Sequence, residues 1–268
     1  TLLIGTILSA ESVGLYNVVF RLQSLGMVFF YPVTFLLPPV LTRLMKAGDE
    51  RAAAETYKVT TKWMSLLTLP LFLLVFMFPE IVIGVPFGSA YVDGATALRI
   101  LIVPIIVTTI LGANGSALLA LGHNRINMYV TGGTAVLNVA LNLALIPRFG
   151  IVGAAVATTT SRIARDLVYT GLLYRWYSIH SLSRSLLRPL AGVAVLVPVG
   201  SAGFTTLFEP SLLSVTVVGL LFLAVYAPVI VALGGVQQPD VEVFERFESS
   251  AGIDLTRVRR IVTYLQPR

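Results

Sequence analysis

The sequence predicts an all-α integral membrane protein, on the basis of its composition, its long apolar stretches and the lack of strand-like alternation. Hydrophobic residues make up 56% of the 268 residues and charged residues 12%, against about 25% charged in a typical soluble domain. The mean hydropathy is +0.86. So few charged side chains cannot cover the surface of a soluble protein of this size. These values exclude a soluble enzyme, an extracellular disulfide scaffold and a disordered regulator.

Seven apolar stretches are each long enough for a transmembrane helix, which needs about 20 residues. They lack the period of two that strands show, and they exceed the roughly 10-residue segments of a membrane barrel. The apolar residues 1–10 are too few to span and are interpreted as the end of a further helix, in the C-terminal portion of a longer protein. The seven stretches are 13–41, 63–86, 96–121, 127–147, 150–174, 187–208 and 211–234.

Turn-forming residues mark most of the boundaries between these stretches. Prolines inside several stretches predict bent helices, which are typical of transporters and also of transmembrane helices in general. The boundary residues are Pro86, Gly122, the corner at 147–150, and Glu209 with Pro210.

The basic residues are distributed unevenly between the two predicted sides of the membrane. Fourteen of the 19 Lys and Arg residues fall in one set of alternate connections, two in the opposite set and three inside apolar stretches. Cytoplasmic loops are enriched in Lys and Arg. We therefore expect a multi-pass protein of the cytoplasmic membrane whose residues 42–62, 122–126, 175–186 and 235–268 face the cytoplasm. The net charge of +6 then requires no nucleic-acid partner.

Two further segments on this side have their own interpretation. The segment 42–62 resembles a short amphipathic interfacial helix, and the tail from about residue 237 is interpreted as a solvated appendage. A cytoplasmic C-terminus follows from the charge distribution.

Catalytic and metal chemistry find little support in the sequence. There is no cysteine, the two histidines lie far apart, and the acidic residues of the predicted outer loops occur singly. Acid–base catalysis needs groups that converge on one substrate. The sequence therefore predicts no enzyme, no catalytic residue, no metal site and no cofactor. The histidines are His123 and His180, and the outer acidic residues are Glu11, Glu80, Asp93 and Glu209.

Charged residues inside the apolar stretches are the candidates for a ligand site, because a charge at bilayer depth usually faces a cavity or a partner. Arg21 lies about 12 Å along its helix, where it either faces a cavity or reaches the headgroups. Arg162 and Asp166 are spaced i, i+4 and predict an ion pair that leaves Arg165 unmatched. Either this is a neutral pair beside a snorkelling arginine, or the arginines bind the oxygens of an anionic head group.

Polar and small residues in the same stretches predict close helix packing. Asn138 and Asn142 are spaced i, i+4, and four hydroxyl residues occupy 158–161. We expect the asparagines to hydrogen-bond between helices, with contact to a polar substrate as the alternative. Gly112 and Gly115 are interpreted as sites of close helix approach.

Four landmarks follow one another in an order that resembles a known family. They are GTILSAESVGLYNVVFRLQSLGMVFFYPVTFLLPPVLTRLMKAGDE, FGSAYVDGATALRIL, ALGHNRINMYV and LNVALNLALIPRFGIVGAAVATTTS. Over roughly residues 1–175 the chain resembles the second half of Wzx-type polysaccharide flippases. These belong to the multidrug/oligosaccharidyl-lipid/polysaccharide (MOP) exporter superfamily, whose fold is a two-lobed, MATE-like helix bundle.

The resemblance implies a C-terminal lobe in residues 1–174, two additional helices in 187–234 and a cytoplasmic tail in 235–268. Such proteins move lipid-linked sugars across the membrane by alternating access. A polyprenyl-(pyro)phosphate-linked sugar is thus the implied substrate, with membrane lipids and the N-terminal lobe as partners. Arg21 approximately matches an arginine in the eighth helix of related lipid II flippases, within a Tyr-x-x-x-Arg-Leu-like stretch.

Other functions remain open at this point. An ion-coupled multidrug exporter of the same superfamily would need acidic residues in its cavity, and the apolar stretches hold Asp166 beside three arginines. A membrane-embedded polysaccharide polymerase or ligase would normally have a large outer loop. A non-transporting scaffold is a further alternative.

Overall fold

The computed structural model describes most of the first 192 residues and a few later positions. These are residues 5, 7–25, 30–182, 186–188, 190–192, 226, 240, 242 and 243. Within them the structure is helical and contains no strand. Three helical segments are long and apolar enough to cross a membrane: Glu50–Met77, Ser89–Leu111 and Asn124–Tyr177. The predicted all-α membrane class is confirmed.

The helices bounded by described residues follow one another with short connections. Helices α1 and α2 both lie largely in the predicted stretch 13–41, and the residues 26–29 between them are outside the described part. The elements are α1 (Ala10–Leu25), α2 (Tyr31–Lys46), α3 (Glu50–Met77), α4 (Pro79–Phe87), a 3₁₀ helix (Ser89–Gly94), α5 (Ala95–Leu111), α6 (Asn114–Ala120) and α7 (Asn124–Tyr177).

The predicted interfacial segment 42–62 is divided between two long helices. Its first residues end α2, and the rest begin α3. Asp49 is the N-cap of α3, where its Oδ1 accepts a hydrogen bond from the Ala52 amide at 2.9 Å. This bond satisfies one of the amides that a helix start leaves unpaired. The interpretation of 42–62 as a separate short helix is therefore wrong.

The predicted stretch 63–86 breaks earlier than expected. Phe78 leaves the helical region with φ −121° and ψ 49°, and Pro79 begins α4. Proline suits the first turn of a helix because the amide it lacks would have no partner there. Pro86 lies inside α4, and the turn that follows uses Gly88 at φ 94°.

The predicted stretch 96–121 also contains two helices, α5 and α6. Gly112 and Ala113 separate them, with φ 90° at the glycine. A Cβ at Gly112 would lie 2.5 Å from the Tyr57 hydroxyl and would overlap Thr61 Oγ1. The expected close approach of another helix is thus present at this glycine, which also adopts a backbone conformation that favours glycine.

Helix α7 is a hairpin of two arms, 124–149 and 151–177, joined at Gly150. This glycine has φ 57° and ψ −134°, which no α-helix contains. A Cβ added to Gly153 would overlap the carbonyl oxygen of Leu145 and lie 2.7 Å from its carbon. The predicted corner at 147–150 is confirmed.

The two arms of α7 run antiparallel. Side chains at matching distances on either side of Gly150 contact each other, so the chain reverses direction at the corner. The pairs are His123 Nε2 with the Tyr177 hydroxyl at 2.7 Å, and Thr131 Oγ1 with the Tyr169 hydroxyl at 3.1 Å.

Two buried clusters hold these helices together, and residues of both line the cavity described below. The first joins α1, α3 and α5 to the second arm of α7 and includes Val19, Leu98, Leu101, Ile105 and Ala155. The second joins α2, α3 and α6 to that arm and includes Leu37, Leu41, Tyr57, Leu118 and Leu173. Small residues permit the close approach: Gly153, Ala154, Ala155 and Ala157 are all buried.

The later part of the chain is described at few positions. The predicted stretches 187–208 and 211–234 and the tail 235–268 lie largely outside the described residues. Tyr226 nevertheless donates a hydrogen bond to the Leu66 carbonyl at 2.6 Å. Leu186 and Leu190 form a buried cluster with Tyr226 and with Leu69 of α3.

Candidate functional site

A cavity of about 410 Å³ lies between α2, α5, α6 and both arms of α7. Three charged side chains of the second arm line it: Arg162, Arg165 and Asp166. Two cations and one anion give this part of the wall a formal charge of +1. Neutral polar side chains line much of the remainder, including Thr34, Thr108, Asn114, Ser116, Asn127 and Thr131.

Asp166 pairs with Arg165 and not, as predicted, with Arg162. Arg165 Nε donates to Asp166 Oδ1 at 3.3 Å. The other carboxylate oxygen, Oδ2, accepts from the Thr108 hydroxyl on α5. Asp166 is 5% exposed, so both oxygens have partners in a buried place. The i, i+4 spacing allowed a contact with Arg162, but that guanidinium is directed toward Phe20 instead.

Arg162 has a buried donor with no acceptor. Its guanidinium carbon lies 5.9 Å from the centroid of the Phe20 ring, within the range of a cation–π contact. Its Nη1 is buried and has no hydrogen-bond partner. Buried polar groups are nearly always hydrogen-bonded, and leaving a charged one unpaired is costly.

Arg21 lies away from this cavity. It is exposed on α1 and is absent from the cavity wall. Its carbonyl accepts a hydrogen bond from the Ser24 hydroxyl at 2.8 Å. The preceding residue, Phe20, is the one that contacts Arg162. The structure therefore does not bring Arg21 and Arg162 to one wall, and the ligand-binding role of Arg21 stays a prediction.

The asparagine pair makes its hydrogen bonds within one arm of α7. Asn142 Nδ2 donates to the Asn138 carbonyl at 2.8 Å and to Asn138 Oδ1 at 3.0 Å. Neither residue lines the cavity. The expectation that these asparagines hydrogen-bond between helices is therefore wrong. Two of the hydroxyl residues at 158–161 do contact other helices, and Thr159 donates to the Ile100 carbonyl at 2.9 Å. Thr158 adds a 3.4 Å contact to the Tyr16 hydroxyl.

A buried polar network that the sequence analysis missed supports the charged wall. The Tyr57 hydroxyl of α3 donates to the Leu111 carbonyl at 2.8 Å and also contacts Asn114 Oδ1. Asn114 Nδ2 donates to Thr170 Oγ1 at 2.9 Å. Thr170 in turn donates to the Asp166 carbonyl at 2.7 Å. Asn114 stands alone as an amide within an apolar run, and this was the signal available in the sequence.

The opposite end of the cavity is neutral. Tyr169 donates to Asn127 Oδ1, and the hydroxyls of Thr131 and Tyr169 lie 3.1 Å apart. Tyr169 follows Arg162 by seven residues, which is about 10 Å along a helix. The wall thus has a cationic end and an uncharged, hydroxyl- and amide-rich end. Among the described residues, no group of three His, Asp or Glu side chains could hold a metal ion.

Comparison with known proteins gives a consistent set of relatives. Residues 1–96 match the family model described as polysaccharide biosynthesis protein. The chain is 28% identical over 177 residues, or 66% of its length, to a protein of Haloferax volcanii named a probable low-salt glycan biosynthesis flippase, Agl15. It is 25% identical over 137 residues, or 51% of its length, to the teichuronic acid biosynthesis protein TuaB of Bacillus subtilis.

A third relative is an uncharacterized membrane protein of Methanocaldococcus jannaschii, 25% identical over 199 residues, or 74% of the chain. The matches cover 38%, 28% and 39% of the three relatives, so the chain spans less than half the length of each. No solved structure matches it. The resemblance to polysaccharide flippases is confirmed as a similarity, and the chain is a multi-pass membrane protein.

Proposed function

We propose that this chain is part of a transporter that moves a lipid-linked sugar across the cytoplasmic membrane, and that the cavity binds the phosphate of that substrate. The observation that carries the proposal is the presence of two guanidinium groups, those of Arg162 and Arg165, on the wall of one cavity. The buried Nη1 of Arg162, which has no acceptor among the described residues, adds to this observation. The flippase name of one relative and the biosynthetic names of others support a glycan substrate.

The geometry divides the binding work between the two ends of the cavity. A guanidinium donates in a planar fork that matches two oxygens of a phosphate, and Arg162 lies on the cavity wall with one donor, Nη1, that has no acceptor in the part of the chain that the structure describes. Arg165 is 36% exposed and is held by Asp166, so it adds charge beside the same site. The amide and hydroxyls of Asn127, Thr131 and Tyr169 would then face the sugar, while the lipid tail stays in the membrane.

Alternating access would use the rest of the protein. In this proposal the N-terminal lobe closes the cavity from the other side, and the two lobes rock about the bound head group. The C-terminus lies in the cytoplasm. The protein acts as a transporter without a catalytic step or a cofactor.

The multidrug exporter alternative is weaker at this site. Binding of a cation needs an acidic group with open coordination, and Asp166 already has Arg165 and Thr108 as partners. A polymerase or ligase would need reactive groups that converge on the sugar. The described cavity brings together two arginines and one paired carboxylate.

The test replaces Arg162 in the full-length protein. Arg162→Ala removes a charge-assisted hydrogen bond, which is worth about 1.5–3 kcal/mol, so we expect transport of the lipid-linked sugar to fall by roughly ten- to a hundredfold at unchanged membrane levels. Arg162→Lys keeps the charge without the fork and should restore part of the activity.

Arg148→Ala is the matched control, because Arg148 is exposed at the corner of α7 and outside the cavity wall. It should transport normally. Normal transport by Arg162→Ala would contradict the proposal. Arg21→Ala, measured alongside, tests whether the exposed arginine of α1 also contributes.

A further inference from the structure

Asp240 is buried against helix α3. Its Oδ2 accepts a hydrogen bond from Lys62 Nζ at 2.7 Å, and its Oδ1 lies 2.5 Å from the same nitrogen. The side chains of Lys62 and Asp240 are 2% and 0% exposed. The expectation that this part of the chain is a solvated appendage is therefore wrong at Asp240.

Each of these charges needs the other at this position. Lys62 and Asp240 are both almost fully buried, and an isolated ammonium or carboxylate in a buried position loses its hydration without compensation. The ion pair supplies that compensation, so the carboxylate of Asp240 marks a specific contact with α3. A non-specific contact of an amphipathic tail would leave the charges in water.

Neighbouring residues of the tail continue the same contact. Val243 is 2% exposed and belongs to the buried cluster that contains Leu37 of α2 and Tyr57 of α3. Glu242, by contrast, is exposed. Positions three apart on a helix share a face, so Asp240 and Val243 present one inward face while Glu242 points outward.

The contact lies on α3, the helix whose Tyr57 supports the wall of the cavity. Lys62 follows Tyr57 by five residues, about 7.5 Å along α3. The Tyr57 hydroxyl holds the Leu111 carbonyl and Asn114, next to the break between α5 and α6. A segment fixed to Lys62 would therefore keep α3 in place against the helices that carry the cavity wall.

We propose that the tail carries an intramolecular docking segment, with Asp240 and Val243 as its inward face, and that the surface of α2 and α3 around Lys62 is its binding site. The segment is secured by the buried ion pair. Its docking stands on contacts of the chain itself and does not depend on which substrate the cavity binds.

The test uses single cysteines in the full-length protein, since the chain described here has no cysteine of its own; any cysteine elsewhere in the protein is first replaced. In purified protein, Val243→Cys should react with a thiol reagent at least about tenfold more slowly than Glu242→Cys, because docking must open before the buried position reacts. Lys62→Met keeps the length of the side chain but removes its charge. Combined with Val243→Cys, it should raise the reaction rate toward that of Glu242→Cys.

Two further variants distinguish undocking from unfolding. Lys58→Met, one turn earlier on α3, removes a less buried lysine and should leave the Val243→Cys rate low. The exchange of both charges, Lys62→Asp with Asp240→Lys, should restore protection that Lys62→Met removes. Equal reaction rates at positions 242 and 243 in the otherwise unchanged protein would overturn the proposal, as would a Lys62→Met variant that keeps full protection.

Discussion

At the scale of single residues, Asp166 is the centre of a polar network that includes Arg165, Thr108 and Thr170. Its carboxylate binds Arg165 through one oxygen and the Thr108 hydroxyl of α5 through the other. Its backbone carbonyl accepts from Thr170. These bonds fix the turn of α7 that carries Arg162, so the acid serves to position the cationic wall.

Removal of Asp166 should therefore destabilise the fold through Arg165. Asp166→Ala leaves that guanidinium without its partner, and we expect a loss of up to about 3 kcal/mol, below the full value for a buried pair because Arg165 is partly exposed. Adding Arg165→Ala should recover part of the loss, whereas adding Arg162→Ala should not. Thermal unfolding in detergent compares these three variants with the unchanged protein. Equal recovery by Arg162→Ala would place the ion pair at Arg162 after all.

Gly112 is the second position where one residue decides local structure. Gly112→Ala places a Cβ against Tyr57 and Thr61 at φ 90°, so we expect a loss of about 1–3 kcal/mol from strain at this break. Gly132→Ala is the control, because nothing lies within 4 Å of its Cβ and its backbone is helical. That change should leave the melting temperature equal or raise it. A stable Gly112→Ala protein would show that the break tolerates a side chain.

At the scale of elements, the hairpin of α7 sets the geometry of the cavity. The first arm brings Asn127 and Thr131 to the neutral end, and the second arm brings Arg162 and Arg165 to the cationic end. The corner at Gly150 makes the two arms antiparallel, so that Asn127 and Thr131 of the first arm contact Tyr169 of the second. Any change at the corner alters the separation of the arms and thus the width of the cavity.

Gly153→Val should open the hairpin. The new side chain meets the backbone of Leu145, and backbone atoms cannot move aside as the tip of a flexible side chain can. We expect a fall in the melting temperature and a loss of transport. Gly171→Ala, on the exposed face of the same arm with open space around its Cβ, should change neither quantity. An unchanged melting temperature for Gly153→Val would contradict the close contact.

At the scale of the whole molecule, the described basic residues of the predicted cytoplasmic connections lie near one end of the helices. Thr42 near the end of α2 donates to the Ala120 carbonyl at the end of α6 at 2.9 Å, and His123 meets Tyr177 at the open end of the hairpin. The basic residues around these positions therefore share one end. The Gly150 corner lies at the far end of the two arms. This grouping agrees with the orientation that the charge distribution predicts.

Labelling of single cysteines in intact cells measures that orientation. Ala47→Cys and Ser249→Cys should react with a membrane-impermeant reagent after permeabilisation and stay unlabelled before it, because cytoplasmic loops are enriched in Lys and Arg. Ser249 lies outside the described residues, so its placement rests on the sequence. Phe149→Cys, at the exposed corner on the opposite side, should react in intact cells. The reverse pattern would invert the topology.

The sequence by itself determined the class of the protein. Composition, the long apolar stretches and the glycine corner depend on residues close together in the chain, so they predicted a helical membrane protein and the hairpin correctly. Once the helix breaks are known, the backbone preferences of proline and glycine explain why they occur at Pro79 and Gly112. The order of the landmarks was enough to indicate the resemblance to polysaccharide flippases.

The tertiary structure decided which polar groups meet. The spacing of Arg162 and Asp166 permits a bond between them. In the structure the carboxylate of Asp166 instead accepts hydrogen bonds from Thr108 on α5 and from Arg165. The guanidinium of Arg162 contacts the ring of Phe20 on α1. Asp240 pairs with Lys62, although the two residues are 178 positions apart in the sequence. These contacts depend on which helix faces pack together. Because an unpaired charge in a buried position has a high free-energy cost, a single arrangement of partners is favoured.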